Sequence, residues 1–176
     1  MVCVDGSTAS DAAVAWGIRE AIVRQLPITL MHVVAPVVVS WPVGQLYAGM
    51  PKWQKENAQH VIDQARKALS AGLGESEPPE IHTEPAYSSV VPTLIDASKE
   101  AWMIVAGSQG LGSVTTALFH HAHCPVAVVH SDENAASDAN APVLLGIDGS
   151  PASEAATTLA FDEASRRGVG LTALHV

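Results

Sequence analysis

Hydrophobic positions along the first 130 residues switch repeatedly between two spacings. Short apolar or alternating runs at Val2–Val4, Ile28–Ala35, Ile81–Tyr87, Trp102–Ala106 and Pro125–His130 predict strands. Between them, Val61, Ile62, Ala65, Ala68 and Leu69 recur at helical spacing in a segment from Lys52 to about Gly72. Ser7 to Ser10 supplies N-caps for a helix through about Gln25, and Val90–Ala101 carries Pro92 in its first turn. Ser113–His121, capped by Ser113, completes the set. Strand and helix alternate throughout, which predicts an α/β fold with a doubly wound, five-stranded parallel sheet. The unbroken apolar run Trp102–Ala106 suits a central strand covered on both faces. Ligands of such sheets bind beyond the carboxyl ends of the strands, where the strand order reverses. The residues just after the first, second and fourth strands are therefore the ones to inspect.

The beginning of this pattern recurs. Set without a gap against Leu145–Val176, the segment Val2–Val33 repeats Asp5, Gly6 and Ser7 as Asp148, Gly149 and Ser150. Glu20, Arg24, Thr29, His32 and Val33 recur as Glu163, Arg167, Thr172, His175 and Val176, all at one offset of 143 residues. A constant offset over a whole strand-helix-strand unit marks a repeat of domain size. Ser131–Pro142 is polar, acidic and without periodicity, as a linker would be. The expected organisation is one complete domain over 1–130, a linker over 131–142, and over 143–176 the start of a second copy that stops at its second strand. A fragment of a longer tandem protein would look like this.

Composition narrows the function. Hydrophobic residues make up 48% of the 176 and charged residues 15%, the balance of a folded body. A formal net charge of −9 argues against a nucleic-acid partner, which needs clustered Lys and Arg. The longest apolar run, near Val33 to Val39, is interrupted by Pro36 and far short of the roughly 20 residues that span a bilayer, so no membrane partner is expected. Cys3 and Cys124 stand far apart without metal or redox spacing, and no signal peptide is evident, which points to a reduced, cytoplasmic setting.

Three places could carry chemistry. Gly107-Ser108-Gln109-Gly110-Leu111-Gly112-Ser113 leads into a helix; its glycines, converging N–H groups and helix N-terminus would suit a phosphate, and they would equally suit a tight turn with no ligand. Asp5-Gly6-Ser7 offers a carboxylate to a ribose or adenine, or only an Asx turn that caps the following helix. At His32-Val33 the backbone could read an adenine edge. No Lys or Arg occurs between Lys99 and Arg166, so any polyphosphate would depend on backbone N–H groups, the hydroxyls of Ser108 and Ser113, and Mg²⁺. No general base or arginine clamp is placed for phosphoryl transfer, which favours binding over catalysis. His120-His121-Ala122-His123-Cys124 has metal-ligand types, but neighbouring helical side chains diverge, and a structural role at the helix-to-strand junction is preferred. Trp16, Trp41, Trp53 and Trp102 read as core or groove-lining residues, with Trp41 and Trp53 as candidates to border a nucleotide.

Taken together, DGS after the first strand, HV ending the second, GSQG after the fourth, and GSV ahead of HAHCPV resemble the universal stress proteins, in particular the tandem-domain actinobacterial type. The resemblance implies an adenine-nucleotide alpha-hydrolase-like fold with flavodoxin-like layering, and an ATP-binding stress-response regulator. It implies that Asp5 and the backbone of Val33 hold the adenosine, with Gly6 and Ser7 in the same turn. Gly107, Ser108, Gly110, Gly112, Ser113 and Val114, taken as one loop, would hold ribose and phosphates. ATP-binding members place about nine residues between the second glycine and the Gly-Ser pair; here Leu111 alone separates Gly110 from Gly112. The alternatives are a partner-binding or dimerisation module without nucleotide, and a weak nucleotide hydrolase. Pairing of two domains, within a chain or as a homodimer through the edge strand Val126–Val129, is expected.

Overall fold

The alternation of spacings takes shape in a computed structural model that describes residues 1–36, 50–73, 77–108, 112–130 and 140–175. Contacts divide the chain into two units, Met1–Ala136 and Ser137–Val176. In the first, β1 (Val2–Cys3), α1 (Thr8–Arg24), β2 (Ile28–Val34), α2 (Met50–Gly72), β3 (Ile81–Tyr87), α3 (Val90–Ala97), β4 (Ile104–Ser108), α4 (Ser113–His121) and β5 (Val126–His130) follow one another. All pairings are parallel and the strand order is β3-β2-β1-β4-β5. The chain winds outward through β2 and β3 on one side of β1, then through β4 and β5 on the other. The order reverses between β1 and β4.

Each element has a local cause. α1 starts at Ser7, whose hydroxyl accepts from the Ser10 amide at 3.1 Å, and ends at Gln25, which takes the left-handed conformation. Its buried stripe is Ala9, Ala13, Val14, Gly17, Ile18 and Ala21, spaced for one helical face. These small residues let the helix lie close over β1 and β4. On the other face of the sheet Met31, Leu94, Ile104, Ala106 and Leu118 form a core cluster between the strands and α3 and α4. Each fully buried Leu or Ile there stabilises the fold by about 1.5–3 kcal/mol.

The third helix is shorter than its hydrophobic pattern predicts. It stops at Ala97 because the Ser98 hydroxyl donates to the Ile95 carbonyl, and the Lys99 and Glu100 amides then tighten onto Asp96 and Ala97. The next strand starts two residues late, at Ile104, where the Ile104 amide meets the Pro125 carbonyl and the β4–β5 ladder begins. Trp102 thus stays outside the sheet, 44% exposed, with the Arg24 guanidinium 4.2 Å above its ring. Trp53, at 60% exposure on α2, is likewise not a core residue, because it falls off the buried Ala58, Val61, Ile62, Ala65 and Leu69 stripe. Trp41 lies outside the described residues.

The second unit has β6 (Val143–Ile147), α5 (Ala152–Arg167) and β7 (Leu171–His175), with β6 and β7 parallel. Its local geometry matches the start of the first. Gly6 and Gly149 have φ of 82° and 77°, and the left-handed helix ends fall at Gln25 and Gly168. The Gln25 amide caps Ala21 and Ile22, as the Gly168 amide caps Ala164 and Ser165. Among the described residues no helix is long and apolar enough to cross a membrane.

Candidate functional site

Register brings the sequence candidates to one level. Val2 pairs with Leu30 on β2 and with Val105 on β4. Carried three residues on, the same register sets Asp5 level with Val33 on one side and Ser108 on the other. These are the carboxyl ends of three adjacent strands, next to the reversal between β1 and β4. Asp5, Val33 and Ser108 therefore share the sheet edge at which a ligand of this topology binds.

The Asp5 turn is the best-built part of that edge. Its Oδ1 accepts from the Ser7 amide at 2.9 Å, an Asx turn, while the Asp5 amide donates to the Ser10 hydroxyl at 3.4 Å. Gly6 sits at φ 82°, and a β-carbon there would stand 3.3 Å from Val61 Cγ2, so the position calls for glycine twice over. From α2, the Gln64 amide nitrogen reaches the Gly6 carbonyl at 3.5 Å and Asp11 Oδ2 at 3.0 Å. His32, buried on β2, holds the Val4 carbonyl at 2.7 Å through Nδ1. Asp5 itself is exposed, and among the described residues its second carboxylate oxygen has no hydrogen bond. The turn caps α1 through Ser7, and among the described residues it leaves one Asp5 oxygen unbonded.

Sequence reasoning did not find Gln64, the bond from the Asp5 amide to Ser10, or the side-chain role of His32. Gln64 carries no distinguishing signal, since Asp63 and Gln64 are the polar residues that an amphipathic helix places between Val61, Ile62 and Ala65. The bond from His32 to Val4 joins residues 28 apart, too far for spacing to show.

The phosphate end is different. Gly110 lies outside the described residues, with Gln109 and Leu111. Gly107 and Ser108 belong to β4 rather than to a loop, and Ser108 is buried. A β-carbon on Gly107 would stand 2.1 Å from the Ala9 carbonyl oxygen, so this glycine is fixed by the close approach of β4 to the first turn of α1. Ser113 does not cap α4, contrary to expectation. Gly112 takes the cap position with extended angles, and Ser113 is the first helical residue. Val114 also lies in the helix, partly buried against the Met31 and Leu118 cluster, rather than in a loop with Ser113. What remains for an anion is the open N-terminus of the nine-residue α4. Gly112 and Ser113 are exposed there, and among the described residues no atom lies within 4 Å of where a Gly112 β-carbon would be. Such a terminus attracts negative charge by about 0.3–1 kcal/mol.

Other candidate groups stand apart. His120 and His121 close α4 with rings 6.2 Å apart and tilted at 55°, and both are exposed. The His123 amide donates to the Ser98 hydroxyl at 2.9 Å, which ties the helix-to-strand junction to α3. Among the described residues no three His, Cys, Asp or Glu side chains converge as a metal site would require. Burial pushes the Cys3 thiol up to about 12 and that of Cys124 upward, so neither is an activated nucleophile. In the second unit Asp148 Oδ1 accepts from the Ser150 amide at 2.9 Å, the bond that chiefly holds its carboxyl below the usual range. A cavity of about 550 Å³ opens at the opposite, amino edge of the sheet, lined by Met1, Pro27, Thr93 and Trp102 among others. It lies in line with β1, which is two residues long where β2 has seven.

Comparison with known proteins accords with this architecture. A universal stress protein of Mycolicibacterium smegmatis is 56% identical over 184 aligned positions covering 100% of this chain, and one of Mycobacterium tuberculosis is 44% identical over 99%. The chain spans 63% and 62% of the length of these two relatives. Among solved structures, a universal stress protein from Archaeoglobus fulgidus covers 99% of the chain, which covers 66% of it, at TM-score 0.76 and 21% identity. UspA from Lactobacillus plantarum aligns over 73% of this chain and 95% of its own, at TM-score 0.61 and 25% identity. An Arabidopsis thaliana family protein with AMP bound aligns over 76% and 92%, at TM-score 0.57 and 17% identity. The fold is the adenine-nucleotide alpha-hydrolase-like form of the doubly wound sheet. With the profile of the universal stress protein family matching residues 1–130, the whole ladder of strands carrying the Asp5 edge, this chain belongs to that family.

Proposed function

We propose that the first unit binds an adenine nucleotide at the carboxyl edge of β1, β2 and β4, and that it serves as a binding and regulatory module rather than a catalyst. The observation that carries this reading is the Asp5 turn: an exposed carboxylate with one oxygen spent on the Ser7 amide and the other without a hydrogen bond among the described residues, level with Val33 and Ser108. Two ribose hydroxyls suit that acceptor, and the Val33 backbone suits an adenine edge. Binding of AMP by the Arabidopsis relative of the same fold supports the choice of base.

Phosphate recognition is the weaker half. The M. smegmatis alignment runs to 184 positions against 176 residues here, so about eight positions of that relative have no counterpart in this chain. A single phosphate can sit at the α4 N-terminus; no Lys or Arg between Lys99 and Arg166 is there to meet β- and γ-phosphates, and among the described residues no cluster of His, Cys, Asp or Glu is there for Mg²⁺. The reading is thus adenosine recognition with one phosphate, ATP being held through the same groups and no better.

We further propose that the second unit, which carries the same Asp-Gly-Ser turn, opens a second copy of the domain. Regulation by pairing of two such domains in the cytoplasm is the corresponding whole-protein reading.

Isothermal titration with AMP, ATP and ATP–Mg²⁺ tests the site. Dissociation constants for the three within about threefold of one another are expected. No heat from either nucleotide at millimolar concentration would leave the partner-binding module without nucleotide as the better reading. ATP–Mg²⁺ binding a hundredfold tighter than AMP would overturn the short phosphate end.

A further inference from the structure

His32 is a buried titratable side chain with no part in the contacts so far ascribed to the nucleotide. We infer that it is the positioning residue of the site: it fixes the Val4–Asp5 peptide plane and thereby aims the Asp5 carboxylate. The consequence for affinity rests on the nucleotide reading above, whereas the consequence for the turn does not.

The geometry is specific to the end of β1. The Val4 amide still bonds to the Met31 carbonyl at 2.9 Å, as a ladder residue would. In a parallel ladder that ran on, the Val4 carbonyl would go to a backbone amide of β2. Here it is taken instead by His32 Nδ1 at 2.7 Å. A carbonyl only accepts, so Nδ1 carries the hydrogen. That holds for the neutral ring and for the cation, and the contact does not depend on the charge of His32.

The Val4 carbonyl and the Asp5 amide belong to one rigid peptide plane. Its oxygen is pinned by His32, and its N–H points at the Ser10 hydroxyl, 3.4 Å away on α1. Ser10 and His32 are both among the buried polar residues. A plane held at both ends sets the direction in which the Asp5 side chain leaves the backbone, and so the place of the Asx bond from the Ser7 amide to Oδ1. Met31 and Val33, the neighbours of His32, pack on the α3–α4 side. Strand alternation then sends His32 to the α1 side, where the turn is. A leucine would fill that volume equally well; only a donor at the Nδ1 position holds the carbonyl.

Three variants of the full chain test this. His32→Leu removes the donor, His32→Asn keeps an amide nitrogen at the Nδ1 position, and His32→Gln moves it out to the Nε2 position. Two readouts apply, hydrogen exchange at the Ser7 amide and the dissociation constant for AMP. With His32→Leu and His32→Gln, Ser7 exchange is expected to quicken about tenfold and AMP to bind about tenfold more weakly, the scale of one lost hydrogen bond. His32→Asn is expected to return both to within about threefold of the parent. Unchanged Ser7 exchange in the Leu and Gln variants overturns the inference, as does failure of Asn to recover either readout when the parent binds. A parent chain that binds no AMP defeats the nucleotide reading alone, since the exchange series still decides whether His32 positions the turn.

Discussion

Gly107→Ala is expected to lower the stability of the first unit by about 3 kcal/mol or more, and its melting temperature by about 10 °C. The added β-carbon would stand 2.1 Å from the Ala9 carbonyl oxygen, 2.2 Å from the Ala9 carbonyl carbon and 2.6 Å from the Ser10 amide. All three are backbone atoms in the first turn of α1, so no rotamer change relieves the clash. Either β4 or the helix must move, and each is fixed elsewhere: β4 by its ladders to β1 and β5, the helix by Ala13, Val14 and Ile18, all fully buried. Thermal and denaturant unfolding of the purified variant check the value. A loss under about 1 kcal/mol would mean that the strand and helix are further apart than described. Since the same turn of α1 holds Ser10 and Asp11, nucleotide affinity should fall as well, as a consequence of the shift.

Asp5→Ala is expected to have the largest effect on binding with a small effect on stability. It removes the acceptor offered to the ligand and releases the Ser7 amide, so affinity for AMP should drop about 100-fold. The turn is exposed, and water replaces the lost partner of Ser7, so the cost in folding is about 1 kcal/mol or less. Asp5→Asn separates the two roles: its side-chain oxygen still accepts from Ser7, but the charge is gone. An intermediate loss, about tenfold, is expected by titration calorimetry. Parent-like affinity in Asp5→Ala would remove Asp5 from the site.

Much of this fold is readable from spacing alone. Ile81–Tyr87 and Ser113–His121 occupy the predicted residues, because strong period-2 and helical patterns there are bounded by clear breakers. Boundaries fail where long-range contacts decide them. The Ser98 hydroxyl, bonded to both Ile95 and His123, ends α3 four residues before its apolar pattern does, and pairing with β5 moves the start of β4 to Ile104. At the site, the Asp-Gly-Ser turn is local chemistry and shows in three consecutive residues. Its supports do not. His32 and Gln64 lie 28 and 58 residues from the groups they hold, Val4 and Gly6. At Gly107 the glycine fits the expectation for a phosphate loop, and close packing on α1 independently requires it.

The central claim is a location, and ¹⁵N-detected amide mapping of the chain during titration with AMP tests it directly. Saturable shifts concentrated at Asp5, Gly6, Ser7, Val33, Gly112 and Ser113 are the predicted result, with Gly17, Thr93 and Met103 around the amino-edge cavity unmoved. Shifts confined to those last three, with the Asp5 turn silent, would contradict the account and move the ligand to the other end of the sheet.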